Sequence, residues 1–212
     1  MSRPTIVVAV RASLDVTAAR RLADYDTLDE AGITRAVEQI HTQRWGRWDL
    51  PAHLAALTSI AAIVVEKGQV HEYALSREAF ADETAMLAHL FARMPGHAAD
   101  VIDWDGHDVD TLIARCVAAD ARLPVALARA HRQCLARWVA PTPHDHPAPD
   151  RAFEDECSAI FTDADDDASA KTLGQRARAR TRLWWRIQHT RRAMSDVQRR
   201  ALITQLEALE RP

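Results

Sequence analysis

Short runs of β-branched and other apolar residues predict the strands of this chain. Residues 5–10 form such a run directly after a proline, which predicts a buried strand. Residues 57–66 and 69–75 form two more runs, and the Lys-Gly pair between them predicts an antiparallel hairpin. A fourth short strand is predicted at residues 101–104, where the sequence reads VIDW.

Apolar residues at helical spacing predict helices between and after these strands. Asp82 can cap one of them, and Ser195 with Gln198 forms a capping box at the start of the last. The predicted helices cover residues 16–24, 29–43, 82–94, 108–117, 124–138, 169–192 and 195–210. This order predicts an α/β fold with a mixed sheet of about four or five strands, flanked by helices and followed by a helical C-terminal region.

Prolines and acidic residues mark one internal boundary. Residues 140–150 read APTPHDHPAPD, and an acidic stretch follows at residues 154–167, which together predict a linker or an exposed loop. We therefore expect a core at residues 1–139, a Pro-rich and acidic linker or loop at residues 140–168, and C-terminal helices at residues 169–212 that pack on the core.

Composition narrows the class of protein. The 212 residues are 48% hydrophobic and 27% charged with a formal net charge of −3, which suits one domain that folds without disulfides or metals. Three cysteines without a C-x-x-C pair favour a reducing cytoplasm. No stretch reaches the ~18 apolar residues of a membrane span, and no signal peptide is recognisable. We therefore expect a cytoplasmic protein with no membrane association.

Four sequence motifs within residues 5–124 occur in an order typical of one enzyme family. They read TIVVAVRASLD, LPAHLAALTSIAAIVV, DETAMLAHLF and VIDWDGHDVDTLIARC. In order and spacing they resemble the bacterial family of predicted 3′–5′ exonucleases related to the exonuclease domain of family B DNA polymerases. The resemblance implies a ribonuclease H-like fold of the DEDD superfamily, in which four carboxylates hold two divalent metals that activate a water.

The carboxylates themselves are mostly missing from the matching positions. The first family motif places Asp and Glu where this chain has Ala9 and Arg11, and the second places Asn where it has Asp105. Asp110 matches the metal-binding Asp of the second motif, and the third motif places Ala177 at its Asp. One of four ligands therefore remains, and the resemblance implies degenerate catalytic motifs with Asp110 as a remnant.

Two of these residues have open alternatives. Arg11 places a permanent positive charge at the position of a metal ligand, which opposes cation binding. Alternatively, it points to solvent from a shifted strand end. Asp110 is either a retained functional residue or a first-turn helix acid that the helix dipole favours.

The basic helix predicted at residues 169–192 suggests one binding surface. Ten Lys and Arg residues fall between Lys171 and Arg200 against a single acid. Such a helix can follow a phosphate backbone and stack bases. The residues predicted to contact single-stranded nucleic acid are Arg178, Arg182, Trp184 and Arg186. The alternative is that Leu173, Ala177, Trp184 and Ile187 form an apolar face on the sheet, with the arginines as its solvated side.

The favoured hypothesis is a catalytically inactive, exonuclease-like protein that binds nucleic acid or a protein partner, with no metal site and no cofactor. One alternative is an active metal-dependent 3′–5′ exonuclease, which would use Mg²⁺ or Mn²⁺. Its rebuilt site would consist of Asp15, Asp105, Asp108 and Asp110. The other is a structural or oligomerisation protein with an exposed aromatic patch drawn from Trp45, Trp48, Trp184 and Trp185.

Overall fold

A computed structural model describes residues 3–22, 25, 27–45, 50–139 and 170–209 of the protein. The linker or loop predicted at residues 140–168, including its acidic stretch, lies outside the described residues.

The described residues form one five-stranded mixed sheet. Its strands are β1 (Thr5–Leu14), β2 (Ala55–Glu66), β3 (Gln69–Ser76), β4 (Asp100–Asp103) and β5 (His131–Cys134). The strand order is β3-β2-β1-β4-β5. Strand β2 is antiparallel to β1 and β3, whereas β1, β4 and β5 run parallel. This order with one reversed strand is the ribonuclease H-like layout, so the predicted fold class is confirmed.

Helices flank the sheet on both sides. They are α1 (Val16–Leu22), α2 (Glu30–Trp45), α3 (Glu83–Phe91), α4 (His107–Ala118), α5 (Val125–Ala128), α6 (Ala136–Val139), α7 (Ala170–Thr190) and α8 (Asp196–Ala208). Both predicted helix caps are confirmed. The side chain of Asp82 accepts a hydrogen bond from the amide of Ala85 at 2.7 Å, and Ser195 forms the capping box with Gln198.

Side chains alternate along β1 and divide the core into two layers. Ile6 and Val8 point to one side, where they pack with residues of α3 and α4. Val7 and Ala9 point to the other, where the buried face of α7 covers them. Because β1 is central and buried on both faces, its sequence is a continuous apolar run rather than an alternating one.

The prediction of one helix across residues 124–138 is wrong. Two short helices, α5 and α6, lie there with strand β5 between them, and β5 pairs with β4 from Asp100–His131 to Asp103–Cys134. The sequence of β5, HRQC, has no apolar alternation, and its first two residues are exposed at the edge of the sheet. Its strand conformation comes from the backbone hydrogen bonds that β4 offers, which no local pattern reveals.

Candidate functional site

The candidate site lies where β1 and β4 separate. The two strands pair in parallel from Thr5–Asp100 to Val7–Ile102, and beyond this point β1 continues to Leu14 without β4 beside it. After β4 the chain turns through Gly106, which has a φ of 102°, and enters α4. Backbone groups of β1 past Val7 therefore need other hydrogen-bond partners on this side.

Asp108 and Arg180 supply those partners. One carboxylate oxygen of Asp108, on α4, accepts a hydrogen bond from the amide of Val10 at 3.0 Å. The Nη1 of Arg180, on α7, donates to the carbonyl of Val8 at 2.6 Å and forms an ion pair with the other carboxylate oxygen of Asp108. Both residues are buried, with 8% of Asp108 and 6% of Arg180 exposed. The pair forms the charged centre of the site.

A second carboxyl group, that of Asp103, lies next to this pair. Asp103 is 1% exposed, and it accepts a hydrogen bond from the amide of Val109 at 3.3 Å. The pKa of Asp103 is raised from 3.8 to about 6, first by burial and then by the Asp108 carboxylate, while the Val109 amide and the Arg180 guanidinium oppose the rise. The folded protein therefore favours the protonated form of the Asp103 carboxyl.

Two positions of the expected carboxylate set are filled by tightly packed alanines. Ala9 and Ala177 are both 0% exposed and belong to the same buried cluster between β1 and α7. Arg11 is half-buried and keeps regular pairing with Ser59, and the irregularity in β1 begins only after it. Strand alternation places Arg11 on the same face as Ala9. Pairing of β1 with β2 is therefore regular up to Arg11 and changes register directly after it.

Asp105 and Asp110 point to other partners. Asp105 accepts a hydrogen bond from the amide of His107 at 3.0 Å, which closes the turn before α4. Asp110 forms an ion pair with Nη1 of Arg132 at 2.8 Å, and 57% of its side chain is exposed. Asp110 also lies in the first turn of α4, where the helix dipole favours an acidic side chain.

Asp15 also has its own partners. Its carboxylate pairs with Nη1 of Arg115 at 3.0 Å and accepts a hydrogen bond from the amide of Ala18 at 2.9 Å. The four carboxylates of the rebuilt site thus have four separate sets of partners. Within the described part of the chain, no three His, Cys, Asp or Glu side chains are grouped so that they could hold a metal ion.

The metals that the resemblance implies, Mg²⁺ or Mn²⁺, do not fit the residues at this site. Such hard cations need several oxygen ligands, but two of the corresponding positions are alanines, and Asp108 is already neutralised by Arg180.

The residues predicted to contact nucleic acid do not share one face of α7. Trp184 belongs to its buried apolar stripe, whereas the three arginines follow another face at i, i+4 spacing. Arg178 forms an ion pair with Glu72 on β3 at 2.7 Å, and 16% of its side chain is exposed. Trp184 is 7% exposed, so its ring faces are not available to stack a base. Arg182 and Arg186 are half-buried on the same helix. The alternative interpretation, that this helix packs an apolar face on the sheet, is confirmed. Leu173, Ala177 and Trp184 are buried in one cluster, and Ile187 packs against it.

The two C-terminal tryptophans do not form the exposed aromatic patch that the oligomerisation hypothesis requires. Trp184 and Trp185 are 7% and 1% exposed and pack in the core. Trp48 and the side chain of Trp45 lie outside the described residues.

Sequence reasoning missed Arg180, although the helical period points to it. Residues 173, 177, 180, 184 and 187 follow one face of α7, so Arg180 lies within the apolar stripe. A guanidinium on a buried stripe requires a buried acid as its partner. That signal was available from the sequence, whereas the identity of the acid, 72 residues earlier, was not.

Comparisons of the chain with protein-family models, with curated proteins and with solved structures find no match in any of the three. Among the helices that the structure describes, none is long and apolar enough to cross a membrane.

Proposed function

We propose that this protein is a non-catalytic relative of the DEDD 3′–5′ exonucleases that serves as a binding module. The sequence motifs that resemble that family and the ribonuclease H-like layout support the kinship. Fold alone does not define function, so the proposal depends on the residues at the site.

The observation that carries it is the packing of Ala9 against the buried face of α7. By the resemblance, Ala9 and Ala177 take two positions that hold metal-binding carboxylates in the exonucleases, and both are 0% exposed. A two-metal mechanism needs a cavity lined with oxygen ligands at this place. Closed apolar packing provides neither the cavity nor the ligands, which supports loss of catalysis.

A protein is the favoured partner. The predicted nucleic-acid surface is weakened because Arg178 is paired with Glu72 and Trp184 is buried. Single-stranded nucleic acid is the second partner to test, because Arg182 and Arg186 are only half-buried on α7.

The test is digestion of a 5′-labelled single-stranded oligonucleotide with Mg²⁺ or Mn²⁺, with binding measured in the same samples by fluorescence anisotropy. We expect the oligonucleotide to stay intact in wild type and in Asp110→Ala. Shortening from the 3′ end that disappears in Asp110→Ala would overturn the proposal. Binding without cleavage would identify nucleic acid as the partner. Absence of binding would support a protein as the partner.

A further inference from the structure

Asp108 and Arg180 approach the gap between β1 and β4 from opposite faces of the sheet. Helix α4, which carries Asp108, packs on the face that includes Ile6 and Val8. Helix α7, which carries Arg180, packs on the face that includes Ala9. Their ion pair therefore passes through the sheet and joins both layers at one point.

The surroundings of the guanidinium are those of a cation-binding site. Its positive charge lies against the carbonyl oxygen of Val8 and the carboxylate of Asp108, with the carboxyl group of Asp103 close enough to be influenced by it. Its Nε is buried and has no hydrogen-bond partner in the part of the chain that the structure describes. Oxygen atoms from a strand and a helix thus contact a single buried positive charge.

Burying such a pair is costly, because both ions lose their hydration and their attraction only partly offsets the loss. The pair also satisfies the carbonyl of Val8 and the amide of Val10, which β4 leaves without strand partners. Removing either member would leave a buried charge and an unpaired backbone group.

We propose that the guanidinium of Arg180 is the internal cation of this site and performs the structural role that a bound metal ion would perform there. It holds α4 and α7 to β1 across the gap, keeps the site folded without a divalent cation and repels any cation that approaches. The corollary is a latent cation site: without the arginine side chain, the carbonyl oxygen of Val8 and the carboxylate of Asp108 accept a cation from solution. This inference goes beyond the proposed function and holds whichever partner the protein binds.

The experiment compares Arg180→Ala with Arg178→Ala by thermal unfolding. Arg178 is the matched control, because it lies on the same helix and forms its own largely buried ion pair with Glu72. We expect each variant to melt lower, with a loss of roughly 10 °C for Arg180→Ala. Guanidinium chloride or MnCl2 at low millimolar concentration should restore part of that loss in Arg180→Ala, because a ligand that binds only the folded state raises its melting temperature.

The same additions should leave wild type and Arg178→Ala unchanged, and EDTA should leave wild type unchanged. Adding Asp108→Asn to Arg180→Ala should abolish the recovery. The inference is overturned by recovery of equal size in Arg178→Ala, by no recovery in Arg180→Ala, or by a wild type that EDTA destabilises.

A variant that does not fold is still informative. If Arg180→Ala is unfolded in buffer, it is refolded from urea with and without MnCl2 or guanidinium chloride. Folding that depends on either cation supports the proposal. Failure with both, under conditions in which Arg178→Ala folds, contradicts it.

Discussion

Arg115 and Glu83 form a direct contact between two helices, in which Nε of Arg115 donates to the Glu83 carboxylate at 2.6 Å. The same guanidinium pairs with Asp15 at the end of β1, and the other oxygen of Glu83 accepts from the amide of Leu57 at 3.3 Å. Arg115 therefore connects α4 with the start of α3 and with the residue that follows β1, and Glu83 extends this connection to β2. It fixes the orientation of the helix that carries Asp108.

Replacing Arg115 with Met is expected to lower the free energy of unfolding by about 1–3 kcal/mol, measured by urea denaturation. The charges are largely but not fully buried, with 13% of the Arg115 side chain, 16% of Glu83 and 21% of Asp15 exposed. The loss arises because two carboxylates remain without their cation.

The control for Arg115→Met is Arg200→Ala on α8. Arg200 pairs with Asp196 one turn away, but 79% of its side chain is exposed. Exposed pairs of this kind contribute at most about 1 kcal/mol. Equal losses in the two variants would show that the Arg115 contacts have no special structural importance.

The raised pKa of Asp103 predicts a pH-dependent contribution to stability. Because its pKa of about 6 in the folded protein lies above the ordinary value of 3.8, the folded state favours the protonated carboxyl. That contribution is fully present below pH 3.8 and is lost as the pH rises through about 6. The full difference corresponds to roughly 3 kcal/mol for a side chain that is 1% exposed.

Asp103→Asn isolates this contribution, because the amide oxygen can still accept the hydrogen bond from Val109. Relative to wild type, the variant should gain stability steadily between about pH 4 and pH 7, measured as the difference in unfolding free energy at each pH. A difference that stays constant over this range would mean that Asp103 titrates with its ordinary pKa.

Much of the fold could be predicted because its signals are local. The Lys67-Gly68 turn of the β2–β3 hairpin has both residues at positive φ, of 52° and 78°, as a tight turn requires. The caps at Asp82 and Ser195 each depend on residues within one helical turn. Strand β5 could not be predicted because its only stabilising signal is the hydrogen-bonding edge of β4.

The site was less accessible to sequence reasoning, because its contacts join residues far apart in the chain. The pairs Arg180–Asp108 and Arg115–Asp15 span 72 and 100 residues. The resemblance drew attention to Arg11 as the misplaced cation, yet the buried cation is Arg180 on another element. The position of Arg180 within the apolar stripe of α7 was the one local feature that indicated a buried cation.

Gly106 is required by the backbone at the start of α4. Its φ of 102° is a conformation that L side chains rarely adopt, and an added Cβ would meet Sγ of Cys134 at 3.5 Å. Gly106→Ala is therefore expected to cost about 1–2 kcal/mol in urea denaturation. The control is Gly96→Ala, where an added Cβ meets nothing within 4 Å. Similar losses in both variants would contradict a conformational requirement at Gly106.

Introducing carboxylates at the positions where the resemblance implies them should be insufficient to create a metal site while Arg180 is present. In the double variant Ala9→Asp, Arg11→Glu, the new acids meet a site whose positive charge is already supplied by Arg180, which Asp108 holds in place. We expect calorimetric titration with MnCl2 to give no saturable heat for this variant.

Adding Arg180→Ala to the double variant should produce saturable Mn²⁺ binding, because the carboxylates then face a vacated position with no competing charge. Adding Asp108→Asn as well should weaken that binding, since it removes one of the oxygen charges that attract the cation. Circular dichroism of each variant establishes that it is folded before the titration. Binding of equal strength with and without Arg180 would mean that the guanidinium does not hold the cation position, and Arg11 would then be the residue that excludes metal from the wild-type protein.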